Sequence, residues 1–217
     1  MIRWWTVISY KKFALVIVFI LLLVSCGEKN VHKQIMNHLE KAYVSEEEFI
    51  EYQEELLRLE EKDLELYDEV VQLEGSEANE LQSLIGEALK VTEQREAYLE
   101  AERTAIKQSK ENFLHVEPYI EQVTDEDVKS NLEKLYKTMT DRYEVYEEVY
   151  ESYATSLQLT ESLYEHLRDN SSQSLLHDTL DDVNESYEQL FTVNDRFNRL
   201  TKDYNRLKKE YYDTVGE

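Results

Sequence analysis

Leu132-Glu133-Lys134-Leu135-Tyr136-Lys137-Thr138-Met139-Thr140-Asp141-Arg142-Tyr143 is the stretch that decides the fold. Leu132, Leu135, Met139 and Arg142 recur at spacings of three and four, which places them on one face of an α-helix. The stripe continues through Tyr146, Val149, Tyr153, Ser156, Thr160 and Leu163 to Leu167. Beside it runs a row at sevens, Tyr136, Tyr143, Tyr150, Leu157 and Tyr164. A helix over about 124–169 follows, with Thr124 and Asp127 suiting its N-terminus. Asp169-Asn170-Ser171-Ser172 reads as a polar turn.

The same period extends in both directions. Downstream it carries Leu176, Leu180, Val183, Tyr187, Leu190, Phe197, Leu200, Tyr204, Leu207 and Tyr211. Upstream, residues 76–115 hold two rows at sevens, one starting at Leu84 and the other at Ile85. Glu117-Pro118 ends that helix, because proline disfavours helical geometry in the residue before it. Gly86, inside it, should mark a loosely packed layer level with Asp63. From Val31 to Leu73 a further 4-3 stripe includes Ile35, Ala42, Phe49, Leu56, Leu59 and Leu66. Ile50, Leu57, Leu64 and Val71 add a third row, so the buried stripe should be as wide as a bundle helix needs. Ser45-Glu46-Glu47-Glu48 resembles a capping box, yet the spacing runs through it, so one helix with a local irregularity is expected. Gly75-Ser76 should then reverse the chain. Four near-equal segments, each roughly 60–70 Å long at helical rise, predict an all-α, elongated up-down-up-down four-helix bundle.

Composition agrees. The 217 residues contain one proline and four glycines, too little punctuation for a multi-turn β fold. A formal net charge of −23 argues against nucleic acid as a partner, since phosphates would be repelled. Nucleophile elbows, glycine-rich phosphate loops and HExxH spacing do not occur, so no catalytic residue and no cofactor is assigned. His32, His38, His115, His166 and His177 share no ligand spacing, and no metal site is expected; His166 and His177 flank one turn and could approach each other.

The N-terminus carries the sharpest motif. Arg3, Lys11 and Lys12 precede the apolar run Phe13 to Val24, and Leu23-Val24-Ser25 leads into Cys26, the single cysteine. Twelve apolar residues are too few to span a bilayer, which takes about 20, whereas they suit the h-region of a secretory signal. The surroundings of the cut resemble the bacterial lipobox, in which the thiol takes a diacylglyceryl group. The chain therefore divides into a lipoprotein signal peptide (1–25), a lipidated tether (26–30) and a helical bundle domain (31–217). The protein is placed on the outer face of the cytoplasmic membrane, with membrane lipid as partner through acylated Cys26.

A lipobox followed by an acidic, tyrosine-rich, wholly helical chain resembles the YkyA-like cell-wall binding lipoproteins of Gram-positive bacteria. The resemblance implies a surface-anchored bundle associated with the wall and carries over no catalytic residue. A protein–protein scaffold docking a membrane or secreted protein is the competing reading.

Internal polar residues leave alternatives open. Asp63, Arg95, Glu102 and Arg142 fall in core-facing rows. Counted from the turns, Glu102 and Arg142 sit level, either as boundary residues reaching water or as an ion pair fixing register. Tyr136, Tyr143, Tyr146, Tyr150 and Tyr153 either fill the core edge or form an aromatic ladder for wall glycan. The basic run from Arg196 to Lys209 suits a helix C-terminus, with attraction to anionic headgroups as the alternative.

Overall fold

The computed structural model describes residues 29–73 and 78–216. Leu23, Val24, Ser25 and Cys26 lie outside the described residues, as does the Gly75-Ser76 turn. The described chain is helical almost throughout: α1 (29–45), α2 (Glu47–Gln72), α3 (Ala78–Leu114), α4 (Glu117–Ile120), α5 (Glu126–Arg168) and α6 (Gln173–Val215). Among the described residues there is no strand. α5 and α6, 43 residues each, span roughly 65 Å. Residues 29 and 30, inside the stretch read as a tether, are already helical.

α1 and α2 form one long run, interrupted at Glu46. Glu46 keeps right-handed torsions (φ −89°, ψ −4°) but no side chain caps α2. Its amide bonds back to Tyr43 at 2.9 Å, a local tightening to i−3. The capping-box residues are engaged elsewhere. Ser45 Oγ donates to the Lys41 carbonyl at 3.0 Å, and the Glu46 carboxylate points into the bundle.

α3 runs back down, and Val116, Ile120 and Val123 bury the apolar side of the link to α5. Pro118 sits in the first turn of α4, where its missing N–H costs nothing. α3 ends at Leu114, close to the expected stop, and Pro118 then opens a further short helical turn. α5 starts at an N-cap that is Asp125, not Thr124; Asp125 Oδ1 accepts from the amides of Asp127 and Val128 at 3.0 and 3.1 Å. The α5–α6 turn is polar as read, with Asn170 at φ 52° and Ser172 capping α6.

The four long runs alternate in direction and pack in the order α2, α3, α5, α6. Ile35, Leu39, Phe113, Leu132, Tyr204 and Tyr211 meet in the core at one end. There His32 Nδ1 and Tyr211 Oη lie 2.8 Å apart, which ties the start of α1 to the end of α6. Leu59, Leu66, Ile85, Val91 and Tyr164 form the core towards the opposite end. Tyr67 and Val71 on α2, Leu163 and Leu167 on α5, and Leu176 and Leu180 on α6 line an apolar cleft there.

Two expectations about this packing fail. Ile50, Leu57, Leu64 and Val71 are not a third core row but an exposed one, since α2 packs against α3 and leaves that strip to solvent. Gly86 does not face Asp63; it is exposed, and a Cβ built there meets nothing within 4 Å. Gly86→Ala should therefore stabilise the bundle by about 0.5–1 kcal/mol, read as a rise in denaturation midpoint at unchanged slope. A loss of stability would place a hidden neighbour at that position.

Candidate functional site

Polar side chains in the bundle interior are few and arranged at intervals. Arg95, Glu102 and Ser109 lie seven residues apart on α3 and are all buried. Consecutive members are about 10 Å apart along the axis, so each defines a separate layer.

In the first layer Arg95 reaches all three neighbouring long helices. Its Nη1 donates to Asp63 Oδ2 on α2 at 2.8 Å. Nη2 donates to Tyr187 Oη on α6 at 2.7 Å, and Nε and Nη2 reach Tyr153 Oη on α5 at 3.3 and 3.2 Å. Tyr164 Oη donates to Asp63 Oδ1 at 2.8 Å, and Tyr153 donates in turn to Glu60. Burial pushes the Asp63 carboxyl up, against the pull of Arg95 and Tyr164. Burial alone would lower Arg95, but Tyr153, Tyr187 and Asp63 outweigh it and hold the guanidinium charged.

The last layer is centred on Glu46. Arg142 clamps it from α5, Nη1 to Oε1 at 2.8 Å and Nη2 to Oε2 at 3.0 Å, the fork geometry that favours arginine over lysine. Arg142 Nε donates to Thr201 Oγ1 on α6 at 2.8 Å, and its guanidinium covers the Phe197 ring at 4.5 Å. Ser109 Oγ donates to Glu46 Oε1 at 2.9 Å and lies 2.7 Å from Tyr143 Oη.

Between them Glu102 has no cation. Burial pushes its carboxyl up to about 8, with Tyr146 and Gln53 pulling the other way and Glu60 adding to the rise. Tyr146 Oη is buried with no partner in hydrogen-bonding geometry, although it is near enough for the two groups to influence each other's titration. Burial thus favours the protonated carboxyl in this layer, and no ion pair forms there among the described residues.

Of the two alternatives for Glu102 and Arg142, the ion pair is not formed, because α4 adds a helical turn before the chain reverses and displaces the count. Glu46, Ser109 and Thr201 carry no signal of this site in the sequence, because Glu46 is one acid in a run of three and hydroxyls have no periodic signature. Of the tyrosines read as candidate wall contacts, Tyr143, Tyr146 and Tyr153 are buried. Their rings fill the core and cannot stack on an external sugar. Tyr136 and Tyr150 are half-buried; Tyr136 stacks on Phe113, centroids 5.4 Å apart, and Tyr150 lies under Arg103 at 3.9 Å and donates to Glu100.

The other flagged groups are separated. His166 Nδ1 lies 3.1 Å from Thr179 Oγ1 and His177 Nδ1 lies 3.1 Å from Asp181, so the two do not pair. Instead His38 and His115 approach, with ring centroids 5.4 Å apart. Burial, Lys41 and His115 together lower the His38 pKa. In the basic run, Arg196 pairs with Glu148 and Arg199 with Asp195. Arg206 pairs with Glu210, and Lys209 with Asp213. These bases are neutralised by the bundle's own acids. Among the described residues no group of three or more His, Cys, Asp or Glu is placed to hold a metal, and no helix is long and apolar enough to cross a membrane.

Comparison with known proteins gives three matches. Residues 30–214 match a family model described as "YkyA: Putative cell-wall binding lipoprotein". A Bacillus subtilis (strain 168) protein named "Uncharacterized lipoprotein YkyA" is 31% identical over 197 residues, covering 90% of this chain and 88% of that one. A 1.6 Å crystal structure of a conserved protein of unknown function from Staphylococcus aureus superposes with a TM-score of 0.72 at 16% identity, over 84% of this chain and 93% of that one. That last likeness bears on the fold alone.

Two outcomes test the interior. Glu46→Ala and Arg142→Ala should each cost about 3–5 kcal/mol, because each leaves a buried charge unpaired. A double-mutant cycle should show coupling between them of about 1–3 kcal/mol and none between Arg142 and Glu102. Glu102 should instead make stability depend on pH. From about pH 4, where an unfolded glutamate ionises, to about pH 8, the folded chain keeps a proton that the unfolded chain has lost. Stability falls as pH rises through that window. Glu102→Gln should match the parent near pH 4 and exceed it by about 3 kcal/mol at pH 7. A gap that is the same at both pH values would show that Glu102 titrates as an exposed acid.

Proposed function

Since this chain belongs to the YkyA family, we propose that it is a lipid-anchored, non-enzymatic surface protein whose rigid bundle stands in the wall space. The observation that carries the reading is how soon the bundle begins. The chain is already helical at residue 29, three positions after Cys26 in sequence, and His32 is already bonded to Tyr211 at the end of α6. A lipid on Cys26 would thus hold one end of the bundle at the membrane, and the rest would project by roughly 65 Å. Two acyl chains suffice for stable attachment where one is marginal.

Association with wall material follows from the family's description. With Tyr143, Tyr146 and Tyr153 in the core, wall contact falls to the outer surface. The net charge of −23 favours neutral glycan or cationic wall groups over anionic polymers. A second reading, a protein scaffold, is favoured by the exposed apolar row on α2. The two roles are compatible on one rod.

Cys26→Ala should block lipoprotein processing and shift the protein out of the washed membrane fraction. A variant that fractionates with membranes at the processed size would remove the lipobox reading. Co-sedimentation with purified wall, before and after stripping of its anionic polymers, tests the second step. Binding that is retained or improved after stripping is the expected result, and no binding to either preparation would leave the scaffold as the function.

A further inference from the structure

Ile50, Leu57, Leu64 and Val71 repeat at sevens along α2 and are each more than half exposed. Tyr43 continues the row on α1 and is also half exposed, with Lys208 over its ring at 5.0 Å. Isolated apolar side chains on a surface need no explanation, but four in register on one helix face form a row that an interacting helix can follow. Ile50 to Val71 covers three heptads, roughly 31 Å of helix, and a heptad period is the one a second helix can follow. At its far end the ridge runs into the apolar cleft between α2 and α6, since Val71 belongs to both.

Charge narrows the occupant. Glu47, Glu54, Glu61 and Asp68 sit three residues before successive ridge members and four after the preceding ones, so they border the ridge along its length. All four are exposed. None of them has a base within ion-pair distance among the described residues, while Arg196, Arg199, Arg206 and Lys209 on α6 are paired with other acids. Two copies of this chain meeting ridge to ridge would bring these acid rows together, and like charges facing across a helix pair are unfavourable. An amphipathic helix whose apolar seam is flanked by lysine or arginine would instead satisfy both the ridge and its border.

We propose that the α2 ridge docks a basic amphipathic helix of a partner protein, laid along α2 and running into the α2–α6 cleft. The proposal deepens the scaffold reading and names its surface and the partner's chemistry.

The test uses the full-length protein in detergent and two synthetic four-heptad peptides with leucine seams, one flanked by lysine and the other by glutamate. Fluorescence anisotropy should detect binding of the lysine peptide alone, weakening as salt rises. Leu57→Gln with Leu64→Gln should weaken it about tenfold or more without lowering the denaturation midpoint, since both side chains are exposed. Glu54→Gln with Glu61→Gln should flatten the salt dependence. Binding of neither peptide, equal binding of both, or binding unchanged in the leucine variant would overturn the proposal. So would a dimer by sedimentation that the leucine variant abolishes, because the ridge would then belong to a second copy. Membrane fractionation and wall co-sedimentation of the leucine variant should match the parent, so failure here is distinguishable from failure of the lipoprotein reading.

Discussion

Arg95, Glu102 and Ser109 place three buried polar groups at equal intervals along one helix, and the packing around them is arranged to satisfy the charged ones. A buried guanidinium without partners costs several kcal/mol, so Arg95 admits only alignments that bring Asp63, Tyr153 and Tyr187 to it at once. Ser109 imposes the same demand one end over, where Glu46 must meet both it and Arg142. A slip of one heptad between α3 and α5 would still set apolar side chains against apolar side chains, since both helices repeat them at sevens. It would strand both charges. Register in this bundle is therefore set by the polar layers, and the apolar ones supply the bulk of the burial.

The irregularity at Glu46 is a consequence of that demand. A straight helix through 43–50 would keep the capping-box residues near the backbone. The tightened turn accompanies a carboxylate directed to Arg142 and Ser109. Asn112 on α3 donates to Ser45 Oγ at 3.0 Å and secures the same point. Glu102 meets the problem differently: with no cation near, it lowers its cost by staying protonated. One interior thus contains two solutions for a buried acid, pairing and neutralisation, on adjacent layers.

Periodicity made the helix number, their alternation and most of the core legible, because burial of a stripe is what the 3.6-residue repeat encodes. Leu132, Leu135, Phe113 and Tyr211 lie where their rows put them. Partner identity was not legible. Which carboxylate meets Arg142 depends on where the chain reverses, and α4 moves that point by about a turn without altering any repeat. The tyrosines show the same limit. Ring and hydroxyl on one side chain send opposite signals, and the buried Asp63, Arg95 and Ser109 give the hydroxyls of Tyr164, Tyr153 and Tyr143 partners as their rings go under. The row from Ile50 to Val71 was misread because a repeat at sevens reports a helix face and not what covers it.

Why that face stays open can be read from α6. The cleft at the far end brings His177 beside Val71, and the strip of α6 that continues from His177 at sevens is Asn184, Phe191, Asn198 and Asn205. All four are exposed. Closing α6 onto the α2 ridge would strip water from Asn184 and Asn198 with Leu64 and Ile50 opposite, and an amide buried without a partner costs about 1–3 kcal/mol. That loss would offset much of the gain from covering each apolar side chain, about 1.5–3 kcal/mol. The chain has no strong drive to seal the seam with its own helix. Phe191, level with Leu57 in the antiparallel register, is the one apolar member of the strip, and it is among the most exposed large side chains described. The two rims therefore differ: an apolar ridge bordered by acids on α2, and an amide strip with a single aromatic on α6. A helix lying in that seam would turn its apolar seam to α2 and its polar shoulder to the asparagines, which fixes its rotation as well as its position.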